Sequence, residues 1–389
     1  MEITIVRKNE IQASLFRGQT PFIHEEIVKD PSYGNFTDLD ITKCKIDTLD
    51  KHLEKNRRAA AKYLHEYELV KILCKKNVIS RAYFKLYEIL YDDPVMYREH
   101  CNSLFICEAP GGFIECVTDI RRKKNLRTNY YSISKYDVSI KYDRYLEENN
   151  LVYGDITDMT TINKTIMDVL TKFEHGLHLI TADGGFDVKN YNSQEIVTSK
   201  LLLCEIYIAL KTQREGGTFV IKFFDMFTHN TIMYYLILCS FYESVRIIKP
   251  KTSRNCNSER YLVCTNFHNN TIWGVPHEDL VEKIKYTIIH YKIGTTVLFP
   301  DIIVHEQIKT KLKTFNNLIV HEQIKTINES IKMVHGKNFY FQNLLLKIFL
   351  ENKVDHLKNI TIYKNILCAR INKCILFLKK FNINIHHFF

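Results

Sequence analysis

Between residues 104 and 264 the chain alternates short apolar runs with longer amphipathic stretches, and this rhythm limits the possible folds more than any other feature. Leu104–Cys107, Tyr130–Ser134, Leu151–Tyr153, Leu177–Ala182, Thr218–Phe223, Val245–Ile248 and Tyr261–Cys264 read as seven strands. Helices are expected between them: to about Arg122, over Asp158–Glu174 with Asp158 as cap, over Glu195–Gln213 closed by Gly216-Gly217, and over Thr231–Tyr242. Strands separated by helices of about ten residues or more predict an α/β fold with a mostly parallel, doubly wound sheet. A loop without a helix joins the last two runs, so the seventh strand is expected to be antiparallel.

The flanks have a different character. With 389 residues, 46% of them hydrophobic, the chain can bury a large core. It divides into a partly helical N-terminal extension at 1–75, the alternating domain at 76–268 and a mainly helical region at 269–389. Asp40–Leu73 reads as helical. Ser80–Tyr91 is a stronger helix, with Ser80 able to cap it and Ala82, Leu86, Ile89 and Leu90 on one stripe. In the C-terminal region the octamer Ile-Val-His-Glu-Gln-Ile-Lys-Thr occurs at Ile303–Thr310 and again at Ile319–Thr326. That offset is about 4.4 helical turns, so one continuous helix would turn the copies to nearly opposite sides. Two helices broken near Asn316-Asn317 are expected instead. His305-Glu306 and His321-Glu322 lack the spacing of a zinc-binding helix.

The formal net charge of +10 permits an anionic partner such as RNA. Eleven cysteines contain no C-x-x-C pair, and Cys107, Cys204, Cys239 and Cys264 lie in apolar runs. They read as reduced, buried thiols of a cytosolic chain. Met1–Glu10 lacks the pattern of a secretory leader, and no apolar run approaches the ~18 residues of a membrane span. A cytoplasmic protein without a membrane partner is expected.

Chemistry-bearing residues cluster at the expected strand ends, where open α/β sheets bind ligands. The first strand runs into Cys107, Glu108, Ala109, Pro110, Gly111, Gly112 and Phe113; glycines there let backbone approach a ligand, although a tight turn would explain them equally. Asp155, followed by Ile156, ends the third strand. Its carboxylate fits either an adenine amino group or a helix entry. Asp183 follows the fourth strand before two glycines. Lys222 sits inside the apolar Phe219–Phe224, where a lysine needs a partner or a purpose. Glu259 lies where the basic loop from Lys249 enters the last strand, and Lys249, Lys251, Arg254, Asn257 and Arg260 are the expected contacts for RNA phosphates. Lys85, on the helix Ser80–Tyr91, would alone read as a solvent-facing lysine.

In order, Lys85, Asp183, Lys222 and Glu259 resemble the Lys-Asp-Lys-Glu tetrad of the FtsJ-type ribose 2′-O-methyltransferases. The resemblance covers about residues 75–268. Cys-Glu-Ala-Pro-Gly-Gly-Phe, Ala-Asp-Gly-Gly-Phe and Ser-Glu-Arg-Tyr are most similar to the cap-specific branch, found in eukaryotes and in large cytoplasmic DNA viruses such as asfarviruses. It implies a Rossmann-like fold and S-adenosylmethionine as donor, held by Cys107–Phe113, Asp155 and Ile156. It also implies a catalytic tetrad with Lys222 as proton acceptor, capped mRNA as substrate, and no metal. Capping or transcription proteins are the implied partners, and host cytoplasm or virion the implied location. An rRNA or tRNA ribose methyltransferase, or a silent RNA-binding subunit of the same fold, are the alternatives. One departure stands out: the second strand ends in Ser134-Lys135-Tyr136-Asp137, where many nucleoside-binding methyltransferases place an acidic residue for the donor ribose. Either Asp137 substitutes or the ribose is held otherwise.

Overall fold

A computed structural model describes residues 1–7, 13–136, 151–185, 188, 190–268, 277–335 and 364–385. In chain order its strands are β1 (Glu2–Arg7), β2 (Phe22–His24), β3 (Asn102–Ile106), β4 (Asn129–Ser134), β5 (Leu151–Tyr153), β6 (Leu177–Ala182), β7 (Gln213–Phe223), β8 (Tyr242–Ile248), β9 (Arg260–Phe267) and β10 (Thr296–Leu298). The α-helices are α1 (Thr37–Asp47), α2 (Lys51–Leu64), α3 (Val70–Leu73), α4 (Ala82–Leu90), α5 (Gly112–Arg122), α6 (Met159–Lys172), α7 (Gln194–Thr212), α8 (His229–Phe241), α9 (His277–His290), α10 (Glu306–His335) and α11 (Lys364–Lys380).

Eight strands form the central sheet in the order β1-β8-β9-β7-β6-β3-β4-β5. β5, β4, β3, β6 and β7 are mutually parallel, and β9 runs antiparallel to both β7 and β8. The architecture is Rossmann-like. The seven expected strands are present, and the last is the antiparallel one, inserted between β7 and β8. The eighth, β1, comes from the N-terminal flank and pairs antiparallel with β8, Glu2 opposite Ile248 and Ile3 opposite Ile247. Its Glu-Ile-Thr-Ile alternation suits an edge strand with one face on the core.

Side chains leave the sheet alternately. Leu104, Ile106, Ile180, Phe219 and Ile221 pack with α6, α7 and α8 on one face. Phe105, Leu179, Val220 and Val263 pack with α3, α4 and α5 on the other. Each fully buried large apolar side chain contributes roughly 1.5–3 kcal/mol. Asp158 caps α6 by accepting from Thr161 N. The Gly216-Gly217 pair expected to close α7 lies inside β7 instead. Gln213 Nε2 donates to Leu177 O at 2.9 Å and draws the chain into the sheet as soon as the helix ends.

Both flanks pack onto this sheet. β2 pairs with β10, so the N-terminal segment is stitched to the C-terminal one. Asp40–Leu73 is not one helical stretch but α1, α2 and the single turn α3. α11 packs on α3 and adds Ile371, Cys374, Phe377 and Leu378 to the core on that face of the sheet. The expected break near Asn316-Asn317 does not occur: α10 is continuous for 30 residues. Asn316 is fully buried, and its amide donates to Tyr33 O and Met226 O, contacts that a helix side chain makes without leaving helical geometry. The octamer copies are accordingly inequivalent. The first straddles the start of α10 with Ile303 exposed, while the second lies within it with Ile319 buried. Among the described residues no helix is long and apolar enough to cross a membrane.

Candidate active site

The sheet order reverses between β3 and β6, and a cavity of about 760 Å³ opens there beyond the carboxyl ends of β3 to β6. Cys107 and Ala109 line it after β3, Ser134, Lys135 and Tyr136 after β4, Gly154, Asp155, Ile156 and Thr157 after β5, and Gly185 after β6. Of the expected donor-binding residues, Cys107, Ala109, Asp155 and Ile156 therefore face the cavity. Pro110 and Gly111 do not line it, and the other three are turned inward. Glu108 Oε1 accepts from Phe113 N at 2.6 Å and Ile114 N at 3.2 Å, holding the first turn of α5. Phe113 is core, with no exposed surface. Gly112 packs on α4, where an added Cβ would lie 2.2 Å from Ser80 Oγ. Its missing side chain serves the contact between α4 and α5. Asp137, the expected substitute at the end of β4, lies outside the described residues.

The lining fits a nucleoside-bearing donor. Asp155 offers a carboxylate at the rim, Ile156 and Tyr136 offer apolar faces, and Gly185 leaves backbone open: a Cβ there would meet Lys222 Nζ at 3.1 Å. Asp155 already accepts from Thr157 Oγ1 at 2.7 Å and Lys135 Nζ at 2.8 Å. Burial raises its pKa, but these bonds outweigh it and hold the carboxyl at about 2. A donor amino group would share Asp155 with Lys135.

Beside the cavity the four tetrad side chains converge from four elements. Register explains part of this. Ala182 is paired with Ile221, so Asp183 leaves β6 next to Lys222 of β7. Lys222 stands directly opposite Tyr261 of β9, so both project on one face. Lys222 Nζ donates to Asp183 O at 2.6 Å and lies 3.3 Å from its Oδ1. Lys85 Nζ meets Glu259 Oε1 at 2.7 Å and Oε2 at 2.9 Å. Tyr261, which the sequence did not single out, joins the two pairs: its hydroxyl donates to Asp183 Oδ1 at 3.0 Å and lies 3.4 Å from Glu259 Oε1.

The electrostatics follow from this crowding. Burial raises the pKa of Glu259, but Lys85, then Lys222 and Lys249, reverse the shift and bring it down to about 2. Burial lowers that of Lys222, but Asp183, Glu259 and Glu205 outweigh it and the pKa ends raised. Without a bound donor, Lys222 is an ammonium at neutral pH. Lys85, paired with Glu259, is not among the main influences on the Lys222 ammonium in this state.

Lys85 reaches the site because α4 grips the loop ahead of β9. Arg81, Lys85 and Glu88 share one helical face. Arg81 Nη2 donates to Thr252 O, and Glu88 accepts from Lys251 N and Thr252 N. The loop was expected to offer its basic side chains to phosphates, and most are turned elsewhere. Lys249 is buried and donates to Ser253 Oγ, Arg254 O, Asn257 O, Asn257 Oδ1 and Glu259 O at 2.7–3.3 Å. Asn257 is thereby occupied too. Arg260 has no exposed surface and donates to Ser258 O and Asn316 Oδ1. Arg254 forms a fork onto Glu68 at 3.0 and 2.7 Å. Only Lys251 of this set is exposed.

Residues 78–267 match the FtsJ-like methyltransferase family. The cap-specific mRNA (nucleoside-2′-O-)-methyltransferase 1 of Bos taurus is 32% identical over 257 residues, 58% of this chain and 30% of that protein. The cap-specific mRNA (nucleoside-2′-O-)-methyltransferase 2 of Mus musculus is 27% identical over 313 residues, 74% of this chain and 39% of that protein. The chain thus spans well under half the length of these relatives. Among solved structures, a ribosomal RNA methyltransferase of Plasmodium falciparum is 22% identical, covers 48% of this chain and 97% of its own, and superposes with a TM-score of 0.40. Residues 78–267, just under half of the chain, thus combine a Rossmann-like sheet with a match to the FtsJ-like methyltransferase domain.

Proposed function

We propose that this chain transfers a methyl group from S-adenosylmethionine to a ribose 2′-hydroxyl of RNA, at the first transcribed nucleotide of capped mRNA. The observation that carries this reading is the Lys85–Glu259 and Lys222–Asp183 pairs, joined through Tyr261, next to a cavity that fits the donor and that Gly185, the neighbour of Lys222, lines. The chain's similarity to cap-specific mRNA methyltransferases supports the choice of capped mRNA. The protein's partners would then be RNA and the capping or transcription machinery, and the place of action the cytoplasm.

On this reading Asp155, Ile156 and the backbone of Ala109 and Gly185 hold the donor, which supplies an activated methyl group when bound. The protein must align the hydroxyl for in-line attack and take its proton. Alignment of that kind is worth about 7–11 kcal/mol in favourable cases. Lys222 is the proton acceptor. Asp183 fixes its amine through two contacts, and Glu259 anchors Lys85 on the other side of Tyr261. Lys222 must first lose its own proton, and a cation brought beside it favours that loss.

Labelled methyl transfer to capped and uncapped transcripts tests the reading. Lys222→Ala should abolish transfer while leaving donor affinity, measured by calorimetry, within about threefold of the unmodified protein. Retained transfer would remove Lys222 from its role. Equal transfer to uncapped RNA would point to an rRNA or tRNA ribose methyltransferase instead.

A further inference from the structure

One ionisable group beneath the tetrad has no part in the reading above. Along α7 the run Leu201–Leu210 is apolar except for Glu205. A carboxyl in such a run either escapes to solvent or has a reason to stay, and Glu205 has no exposed surface. Its carboxyl lies under the turn that follows β6: a Cβ added to Gly184 would meet Glu205 Oε1 at 2.1 Å. The charged and titratable groups that face it are Cys107 from the loop after β3, Asp183 from the end of β6 and Lys222 from β7, with Cys204 beside it on α7. The Cys107 thiol and the Gly184 N–H lie alongside, yet neither carboxyl oxygen has a well-formed hydrogen-bond partner.

An unpaired carboxylate in such a place is costly, and the group takes up a proton instead. Burial, seconded by Asp183 and opposed by Lys222 and Cys107, brings its pKa up to about 8. Lys222, meanwhile, is within the field of three carboxyls: Asp183, Glu259 and Glu205. Asp183 and Glu259 are both engaged with cations, so the one charge that can be withheld from Lys222 is that of Glu205.

We infer that Glu205 is a positioning residue that sets the basicity of Lys222: as the neutral acid it supports the Asp183–Gly185 turn and spares the lysine a third negative charge. The inference rests on the role given to Lys222 above, but its protonation part can be read without methyl transfer. Two consequences follow. At neutral pH the lysine sheds its proton more readily than three carboxylates would allow. As the pH rises past the point where Glu205 ionises, Lys222 becomes harder to deprotonate, so the alkaline rise in rate is pushed to higher pH.

The test is a pair of NMR titrations on the full chain without donor, with ¹³C at glutamate Cδ and ¹⁵N at lysine Nζ. The unmodified protein should show a carboxyl titrating well above the ordinary glutamate value of about 4.3. That signal should vanish in Glu205→Gln, while any other high-titrating carboxyl, such as Glu108, persists. The Lys222 nitrogen should deprotonate at lower pH in Glu205→Gln, by at least about half a unit. Where transfer is measurable, the alkaline rise of kcat should move the same way, with KM unchanged. A Glu205 signal among the ordinary carboxylates, or superimposable Lys222 titrations in the two proteins, overturns the proposal. Should Glu205→Gln fail to fold, Lys222→Met decides: the high-titrating carboxyl must move further up once its opposing cation is gone, and an unmoved titration overturns the proposal. The expected titrations without methyl transfer to any RNA would instead sink the function proposed above and leave the proton on Glu205 in place.

Discussion

At the residue scale the centre depends on one neutral hydroxyl. Burial raises the pKa of Tyr261 well above its usual value, with Asp183 and Glu259 adding to the shift, so it stays a proton donor over the working range. It donates to one carboxylate and sits within reach of another, which turns two separate ion pairs into one unit. A hydrogen bond to a charged group contributes about 1.5–3 kcal/mol. Tyr261→Phe keeps the ring, which packs against Phe113, and removes only this link. It should therefore lower kcat by roughly 10- to 100-fold with KM for RNA little changed, as measured by initial rates of labelled methyl transfer. An unchanged kcat would show that the two pairs are held apart from each other by the backbone alone. Asp183 and Lys222 were conspicuous in sequence because each is a charged group where packing gives no reason for one. Tyr261, although part of Ser-Glu-Arg-Tyr, is not conspicuous, because an aromatic residue in a strand looks like core. Only the antiparallel register, which puts it opposite Lys222, reveals its second duty.

At the element scale, alternation of apolar runs and helices was enough to predict the parallel strands and the antiparallel last one, because buried strands of a doubly wound sheet have a continuous apolar signature. The loop between β8 and β9 was legible in composition but not in direction. Lysine and arginine in a polar segment normally point to solvent, and nothing in Lys249–Glu259 says that its carbonyls face inward. They do, and Lys249 is the pin that satisfies them, its pKa drawn down to about 7 by burial with Glu259 opposing the shift. Lys249→Met fills similar space but strands several buried oxygens, including the carbonyl of Glu259 itself. A stranded buried acceptor costs about 1–3 kcal/mol. Urea denaturation should show a loss of about 3 kcal/mol, whereas Lys251→Met, on the exposed side of the same loop, should stay within about 0.5 kcal/mol. The RNA readout reverses the order: Lys251→Met should reduce the salt dependence of RNA affinity, with a slope change of up to about one. Equal stability losses in the two variants would mean that Lys249 is a surface cation after all.

At the scale of the whole molecule, the segments that flank the FtsJ-like domain reach its centre. Composition could suggest that residues 269–389 are helical, and the octamer repeat invited a break in the helix, since helical periodicity alone puts its copies on different sides. What a periodicity argument cannot see is that a long helix can be buried on more than one side. Near its middle α10 presents Asn316 to three partners: the Tyr33 carbonyl from the N-terminal flank, the Met226 carbonyl from the loop after β7, and the guanidinium of Arg260 on β9, at 2.7, 2.9 and 2.5 Å. Arg260 is fully buried and follows Glu259 directly; its other close charge, Asp225, is 3.7 Å away and is taken by Lys43 of α1 at 2.9 Å. One amide thus joins both flanks to the strand that begins directly after Glu259. Removing one partner of a buried charged group costs about 3–5 kcal/mol, because the charge that remains is uncompensated. Asn316→Leu should lower stability in urea by about that amount, with an unchanged m-value. Leu318→Asn, two residues along on the exposed side of the same helix, should change it by less than about 0.5 kcal/mol. If the coupling reaches Glu259, Asn316→Leu assayed well below its unfolding midpoint should also lose methyl transfer while keeping donor affinity, because the cavity is lined from β3 to β6 and not from β9. Loss of donor binding in parallel with transfer would instead mean general loosening of the fold, and equal losses of stability in the two variants would leave α10 a cover with no hold on the site.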